Sequence, residues 1–215
     1  MAGRPRATGE PAGDSRQDLL DAAAALFIDH GYTATSTRAI ADRAGLRQAS
    51  LYHYFGGKED VLVELLEGTV RPSLRAAHIL VAMDASPLAK LWALCRFDLS
   101  LLCGGPHNLG VLYLRPEIQT SRFEAFHSER AELRSRYHDL VLAAGGDEMA
   151  ADLVFGLVEG VVLTRQSKAV PEGYPAAGAD AGVRITGVVT DLDAVRSEGV
   201  LLLREKDLRG GTAVG

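Results

Sequence analysis

The sequence predicts an all-α protein: a small three-helix head containing a helix-turn-helix, followed by a larger helical body. Three observations carry that expectation. Apolar residues recur at the 3.6-residue period through most of the 215 residues, with no convincing period-two alternation before Val183. Gly31, Gly56-Gly57 and Gly104-Gly105-Pro106 punctuate the periodic stretches. The segment from Gly31 to Leu65, GYTATSTRAIADRAGLRQASLYHYFGGKEDVLVEL, places Ala41, Gly45 and Leu51 where two steeply crossed helices are most constrained. There a small side chain permits close approach, a glycine turns the chain with φ > 0, and an aliphatic residue pins the second helix to the first.

Residues 1–14, MAGRPRATGEPAGD, lack periodicity and are expected to form a disordered arm. Ser15 with Asp18, a carboxylate form of the capping box, opens the first helix. Leu19, Leu20, Ala23, Leu26 and Phe27 share its apolar face, and Gly31 suits the position just past its end. The second helix starts near Ser36 or Thr37, with Ile40, Ala41 and Ala44 inward. The third starts near Gln48; Leu51, Tyr54 and Phe55 give it an i, i+3, i+4 apolar spacing that leaves Gln48, Ala49, Ser50 and His53 pointing outward. The head therefore spans residues 15–57 and the body 58–215.

The body opens with a long helix from Lys58 to about Leu80, with a bend expected at Pro72. PLAKLWALCRFDLSLLC, Pro87 to Cys103, is an apolar helix entered by proline at an early position, where its missing N–H costs little. A short helix near Asn108 to Leu114, a long one from about Arg122 to Ala144, and an apolar one from Glu148 to about Ser167 follow. The Gly, Ala and Pro-rich stretch from Lys168 to Gly187 reads as loop. Val188 to Leu203 reads as a helix or as containing a strand, since Val and Thr weaken the helical expectation.

The two cysteines, Cys95 and Cys103, are eight residues apart on one helix, about 12 Å along its axis, too far for a disulfide. Free thiols fit a reducing cytoplasm. No leader pattern opens the chain and no apolar run reaches the roughly 20 residues of a membrane span, so a cytoplasmic protein without membrane contact is expected. The net charge of −5 argues against a generic nucleic-acid coat. Between Thr35 and Lys58, however, Arg38, Arg43, Arg47 and Lys58 oppose Asp42 alone. A small cationic face on an acidic chain suits docking of one face on a DNA duplex.

These residues resemble the tetracycline-repressor (TetR) family of bacterial transcriptional regulators. The resemblance is strong from about Leu19 to Leu66, where Leu51-Tyr52-His53-Tyr54-Phe55 followed by Lys58-Glu59 is similar to the family signature; beyond it only the helical pattern matches. It implies that the first three helices bind a double-stranded DNA operator and that the later helices form a dimerising body. It also implies that a small-molecule effector changes operator affinity.

On the third helix Gln48 suits bidentate recognition of adenine, Ser50 can donate or accept, and Ala49 can pack on a thymine methyl; the alternative is a solvated helix face. Tyr52 and His53 carry polar tips suited to phosphate oxygens, although Tyr52 also fits a partly buried position. Thr37 and Arg38 open the second helix, where unpaired N–H groups favour a phosphate, and Lys58 adds a cation of the same kind unless it pairs with a neighbouring carboxylate. Gly56-Gly57-Lys58 is no nucleotide loop, since Glu59 stands where a Ser or Thr is required. Arg4 and Arg6 could lie in a minor groove or contact nothing fixed.

In the body, Trp92, Cys95, Leu99 and Leu102 form one helical stripe, core or pocket lining, and Tyr113 joins it as a candidate effector contact. Asp98 shares a face with Leu91, Leu94 and Leu101, where an unpaired carboxylate is costly; it is expected to meet a ligand cation, Arg96 or another Arg. His107 and His127 have no metal-ligand spacing, and no metal or cofactor is expected. Gly156 and Gly160 form a smooth strip beside Leu153, Leu157 and Val161, read as the homodimer contact or as packing within one body. No Ser/His/Asp set, metal motif or cofactor loop supports an enzyme. The leading reading is a ligand-responsive repressor, with the fourth helix transmitting the ligand's effect; the alternative is a DNA-binding structural or cell-division factor without inducer control.

Overall fold

The computed structural model describes residues 14–205 and Leu208; Arg4, Arg6 and nearly all of the proposed arm lie outside the described residues. Every regular element among the described residues is helical: α1 (Ser15–Asp29), α2 (Thr37–Arg43), α3 (Gln48–Tyr54), α4 (Lys58–Ala82), α5 (Pro87–Cys103), α6 (Glu124–Ala143), α7 (Glu148–Ser167), α8 (Tyr174–Ile185) and α9 (Leu192–Leu202). Three short 3₁₀ helices, Leu109–Leu114, Pro116–Gln119 and Ser121–Phe123, join α5 to α6. The described chain forms two compact units that divide between Leu66 and Glu67, inside α4.

In the first unit, Leu19, Phe27, Ile40, Ala41, Leu51 and Val61 are completely buried and Phe55 nearly so. The α1 cap is Asp14, whose carboxylate accepts from the Arg16 N–H, and not Ser15. Gly31 (φ +86°) ends α1 and Gly45 (φ +68°) makes the sharp turn between α2 and α3, both in the left-handed region that favours glycine. Ser36 caps α2 by accepting from Ala39 N–H, and the Leu46 N–H donates to Ala41 C=O at 2.8 Å to close the turn. Tyr54 departs from the expected apolar face. It is 41% exposed, because α3 ends there and Phe55, in extended conformation, is the residue that turns inward.

In the second unit, α5 is buried around most of its circumference and packs against α6, α7, α8 and α9. The region read as loop contains α8. Its glycines are sites of close approach: a Cβ on Gly178 would come within 2.5 Å of Leu99, and one on Gly182 within 3.1 Å of the Cys95 sulfur. In α9, Gly199 does the same against Trp92, at 2.5 Å. Composition suggested flexibility; tight packing against α5 is what these glycines permit. The Val188 to Leu203 ambiguity resolves as helix, with Asp191 capping α9 through Ala194 N–H. No helix of the described residues is long and apolar enough to cross a membrane.

Candidate DNA-binding face and effector cavity

The helix-turn-helix presents Arg38, Gln48, Ala49, Tyr52 and His53 to solvent, with Thr37 and Ser50 half-buried. Tyr52 is 54% exposed, which excludes its core alternative. Three of these side chains are tied together. The Gln48 amide donates to Thr37 Oγ1 at 3.0 Å, and Thr37 Oγ1 lies 3.2 Å from the Tyr52 hydroxyl. The bonds run from α2 to both ends of the exposed face of α3, so Thr37 fixes the direction in which Gln48 leaves the helix. Arg38 makes a loose, solvent-exposed pair with Asp42 at 3.7 Å, which contributes little and leaves the guanidinium available.

Lys58, expected at a phosphate, is engaged within the head by several groups. Its ammonium donates to Tyr32 C=O and Thr35 C=O at 2.9 Å each and to Thr33 C=O at 3.3 Å, and it sits 4.3 Å from the centre of the Tyr32 ring. An ammonium has three donors, so Lys58 is a staple that fastens the α1–α2 connection to the start of α4. No local pattern in the sequence announces these partners, because they are backbone groups more than twenty residues away.

In the body the expected effector contacts separate. Trp92, Cys95 and Asp98 are buried to 3%, 0% and 3% exposure and belong to the packed interior. The Trp92 indole N–H donates to Asp180 at 2.9 Å, and Asp180 is also paired with Arg196. Cys95 packs on Gly182, and burial raises its thiol pKa. Asp98 pairs with no arginine among the described residues. It accepts from Ser73 Oγ at 2.9 Å and from the Tyr137 hydroxyl at 3.1 Å, linking α5 to α4 and α6. Burial, against those two hydrogen bonds, pushes its pKa up to about 6.

Of the four, Tyr113 lines a cavity of about 490 Å³, within the range of small-molecule sites. Its hydroxyl donates to Thr69, and its ring is tilted against Phe126 with centroids 5.3 Å apart. Ile118, Val162 and Leu163 add apolar wall, while Gln119, His127, Arg130 and Glu159 supply polar groups. Arg130 and Glu159 form a two-pronged pair, with Nε to Oε1 at 2.8 Å and Nη2 to Oε2 at 2.6 Å. These partners were not legible in the sequence, since they stand on α6 and α7 and carry no motif. Gly156 and Gly160 line the same cavity. Along α7, Leu153 and Gly156 are exposed and Leu157 and Gly160 half-buried, but Val161 is fully buried and faces the interior with Val154 and Val158.

A three-helix head with a tethered recognition face and an all-helical body with a cavity define a helix-turn-helix DNA-binding regulator. The profile of the bacterial regulatory proteins of the tetR family matches residues 19–65. The chain is 33% identical over 153 residues to the HTH-type transcriptional repressor KstR2 of Mycobacterium tuberculosis, covering 66% of this chain and 75% of that protein. It belongs to the TetR family and is a transcriptional regulator, not an enzyme. The crystal structure of AmtR from Mycobacterium smegmatis matches with a TM-score of 0.84 at 44% identity, covering 93% of this chain and 98% of that one. The structure of the ketosteroid transcriptional regulator KstR2 of M. tuberculosis matches with a TM-score of 0.67 at 25% identity, covering 86% of this chain and 100% of that one.

Proposed function

We propose that this protein is a cytoplasmic, ligand-responsive repressor that binds a palindromic operator as a homodimer. Residues 15–57 read the DNA; residues 58–215 dimerise and hold the effector. The observation that carries the reading is the outward face of α3, where Gln48 is held in a defined direction above a buried Leu51. Gln48 reads a base edge, with Ala49 and Ser50 beside it, while Thr37, Arg38, Tyr52 and His53 meet the phosphates. Two such heads, related by a two-fold axis, reach half-sites about 34–36 Å apart. The effector occupies the Tyr113 cavity and lowers operator affinity by binding more tightly to the DNA-incompetent conformation. That cavity is the observation favouring this reading over an unregulated DNA-binding factor. Selection of bound fragments from genomic DNA, followed by footprinting, tests it: a two-fold symmetric site is expected, and a bound site without symmetry would overturn the dimeric reading.

With that operator, Gln48→Ala is expected to cost about 1–3 kcal/mol and to relax preference at one base position. Thr37→Val should relax the same position, because it removes the hydroxyl that aims Gln48, while Thr37→Ser should retain it. Equal base preferences in wild type and Thr37→Val would show that the tether has no part in readout.

For Lys58→Met, a loss of head stability is expected, on the order of 1–3 kcal/mol for orphaning partly buried carbonyls. Chemical denaturation and the salt dependence of operator binding separate the two roles. A salt slope lowered by about one with unchanged stability would return Lys58 to the phosphate.

A further inference from the structure

The turn between α2 and α3 is flanked by two exposed arginines, Arg43 and Arg47. Neither guanidinium makes a hydrogen bond or an ion pair with another described residue. The other arginines of the described head are engaged. Arg16 pairs with Glu64 and lies over the Phe55 ring, and Arg38 faces Asp42.

Arg43 and Arg47 differ in what the helix beside each of them favours. Arg43 closes α2, in the last turn, where the negative end of the helix dipole attracts a cation. Arg47 stands ahead of α3, where that sign is reversed and where a capping side chain belongs. The chain supplies such caps elsewhere: Asp14, Ser36, Ser86, Asp147 and Asp191 accept from backbone N–H groups at the starts of α1, α2, α5, α7 and α9. Arg47 has no acceptor to offer and forms no cap. Two local preferences are therefore given up at one residue, beside the helix that reads the operator, and a departure of this kind is expected where function overrides folding.

We propose that Arg47 reads the guanine of a G·C pair in each half-site, next to the base met by Gln48. The assignment rests on the operator-reading role of α3 and extends it by one base pair. In helix-turn-helix complexes the residues at the beginning of the second helix reach base edges in the major groove. There guanine presents N7 and O6, two acceptors whose spacing matches the planar guanidinium fork. Gln48 suits adenine and Ala49 a thymine methyl, so Arg47 adds recognition of a G·C pair. The Gln48 amide is fastened to Thr37 of α2, which leaves the neighbouring base to the longer Arg47 side chain. Because the Arg47 guanidinium is paired with no described residue, it enters the groove without breaking an ion pair to one of them. A phosphate oxygen could accept from the same fork, but a phosphate contact carries no base preference, and that difference is measurable.

The test is selection of bound duplexes from a randomised pool by the full chain, as wild type and as Arg47→Ala, followed by titration of duplexes altered at the single position concerned. Thermal unfolding is read on both proteins and on Arg47→Ser. Wild type is expected to select a G·C pair adjacent to the position whose preference Gln48→Ala relaxes. Arg47→Ala should lose that one preference and keep the others, with affinity for the wild-type site lower by about tenfold or more. Arg47→Ser, which supplies the missing cap, should show the same loss of guanine selection and unfold at a higher temperature than wild type. A uniform fall in affinity, with guanine still selected by Arg47→Ala, would make Arg47 a phosphate contact and overturn the proposal. A wild-type site without a G·C pair beside the Gln48 position would overturn it too. Lowered unfolding temperatures in both variants would assign Arg47 to holding the head together, with the same consequence. Failure of wild type to select any sequence would overturn the operator-reading role on which the proposal stands.

Discussion

Replacing Leu51 by Ala is expected to melt the head and abolish operator binding, although Leu51 touches no DNA. In the seven-residue α3, Leu51 is the one buried residue and is completely enclosed. A helix that short has no stability of its own and exists because its inner residue is packed against α1 and α2. Truncating a buried leucine costs about 2–5 kcal/mol, a large fraction of the ~5–15 kcal/mol that typically holds a domain together. Thermal unfolding and operator titration should therefore fail together in Leu51→Ala, whereas Gln48→Ala should affect only the titration. Retained unfolding temperature and retained operator binding in Leu51→Ala would mean that α3 is held by something other than this contact.

Asp98→Asn is expected to stabilise the body at neutral pH and to remove a specific pH dependence. Asp98 is enclosed by Ser73 from α4 and Tyr137 from α6, with no cationic partner among the described residues, and the charge of Glu159 from α7 adds a smaller repulsion. Its folded pKa of about 6 lies above the ordinary aspartate value near 4. The folded state therefore prefers the protonated acid. The stabilisation is fully present below about pH 4, is lost as pH rises through about 6, and amounts to about 3 kcal/mol across that interval. Urea unfolding of wild type and variant between pH 4 and 8 isolates this group from the other carboxylates. The variant's advantage should grow up to about pH 6 and then level off. A difference between the two proteins that stays constant with pH would show that Asp98 does not titrate in this interval.

The head was legible in the sequence because its signals are local. Ala41, Gly45 and Leu51 are ten residues apart at most, and a glycine at φ +68° is the residue type that such a turn demands. Ser36 as the α2 cap and Pro87 at the entrance to α5 were readable on the same ground. Asp14 was missed as a cap because it closes the stretch read as arm, one residue ahead of a plausible Ser15. The α8 region was misread because Gly, Ala and Pro indicate loop when taken locally. The same residues allow a helix to sit against Leu99 and Cys95, far earlier in the chain.

The site residues divide in the same way. Periodicity alone placed Gln48, Ala49 and His53 outward, since an amphipathic helix fixes its outer face once its inner residues are known. It could not show that Gln48 is tethered to Thr37, that Lys58 serves the α1–α2 connection, or that Asp98 is satisfied by two hydroxyls from other helices. Periodicity put Trp92, Cys95 and Asp98 on an inward face, and the cavity beside Tyr113 is lined by residues of the 3₁₀ segments, α6 and α7. The sequence by itself determined the helical class, the helix-turn-helix and its exposed face, because these depend on backbone preferences and on neighbours within a turn or two. The tertiary structure decided which polar groups pair, which glycines mark contacts and where a cavity remains, because these depend on side chains far apart in sequence meeting in one packed volume.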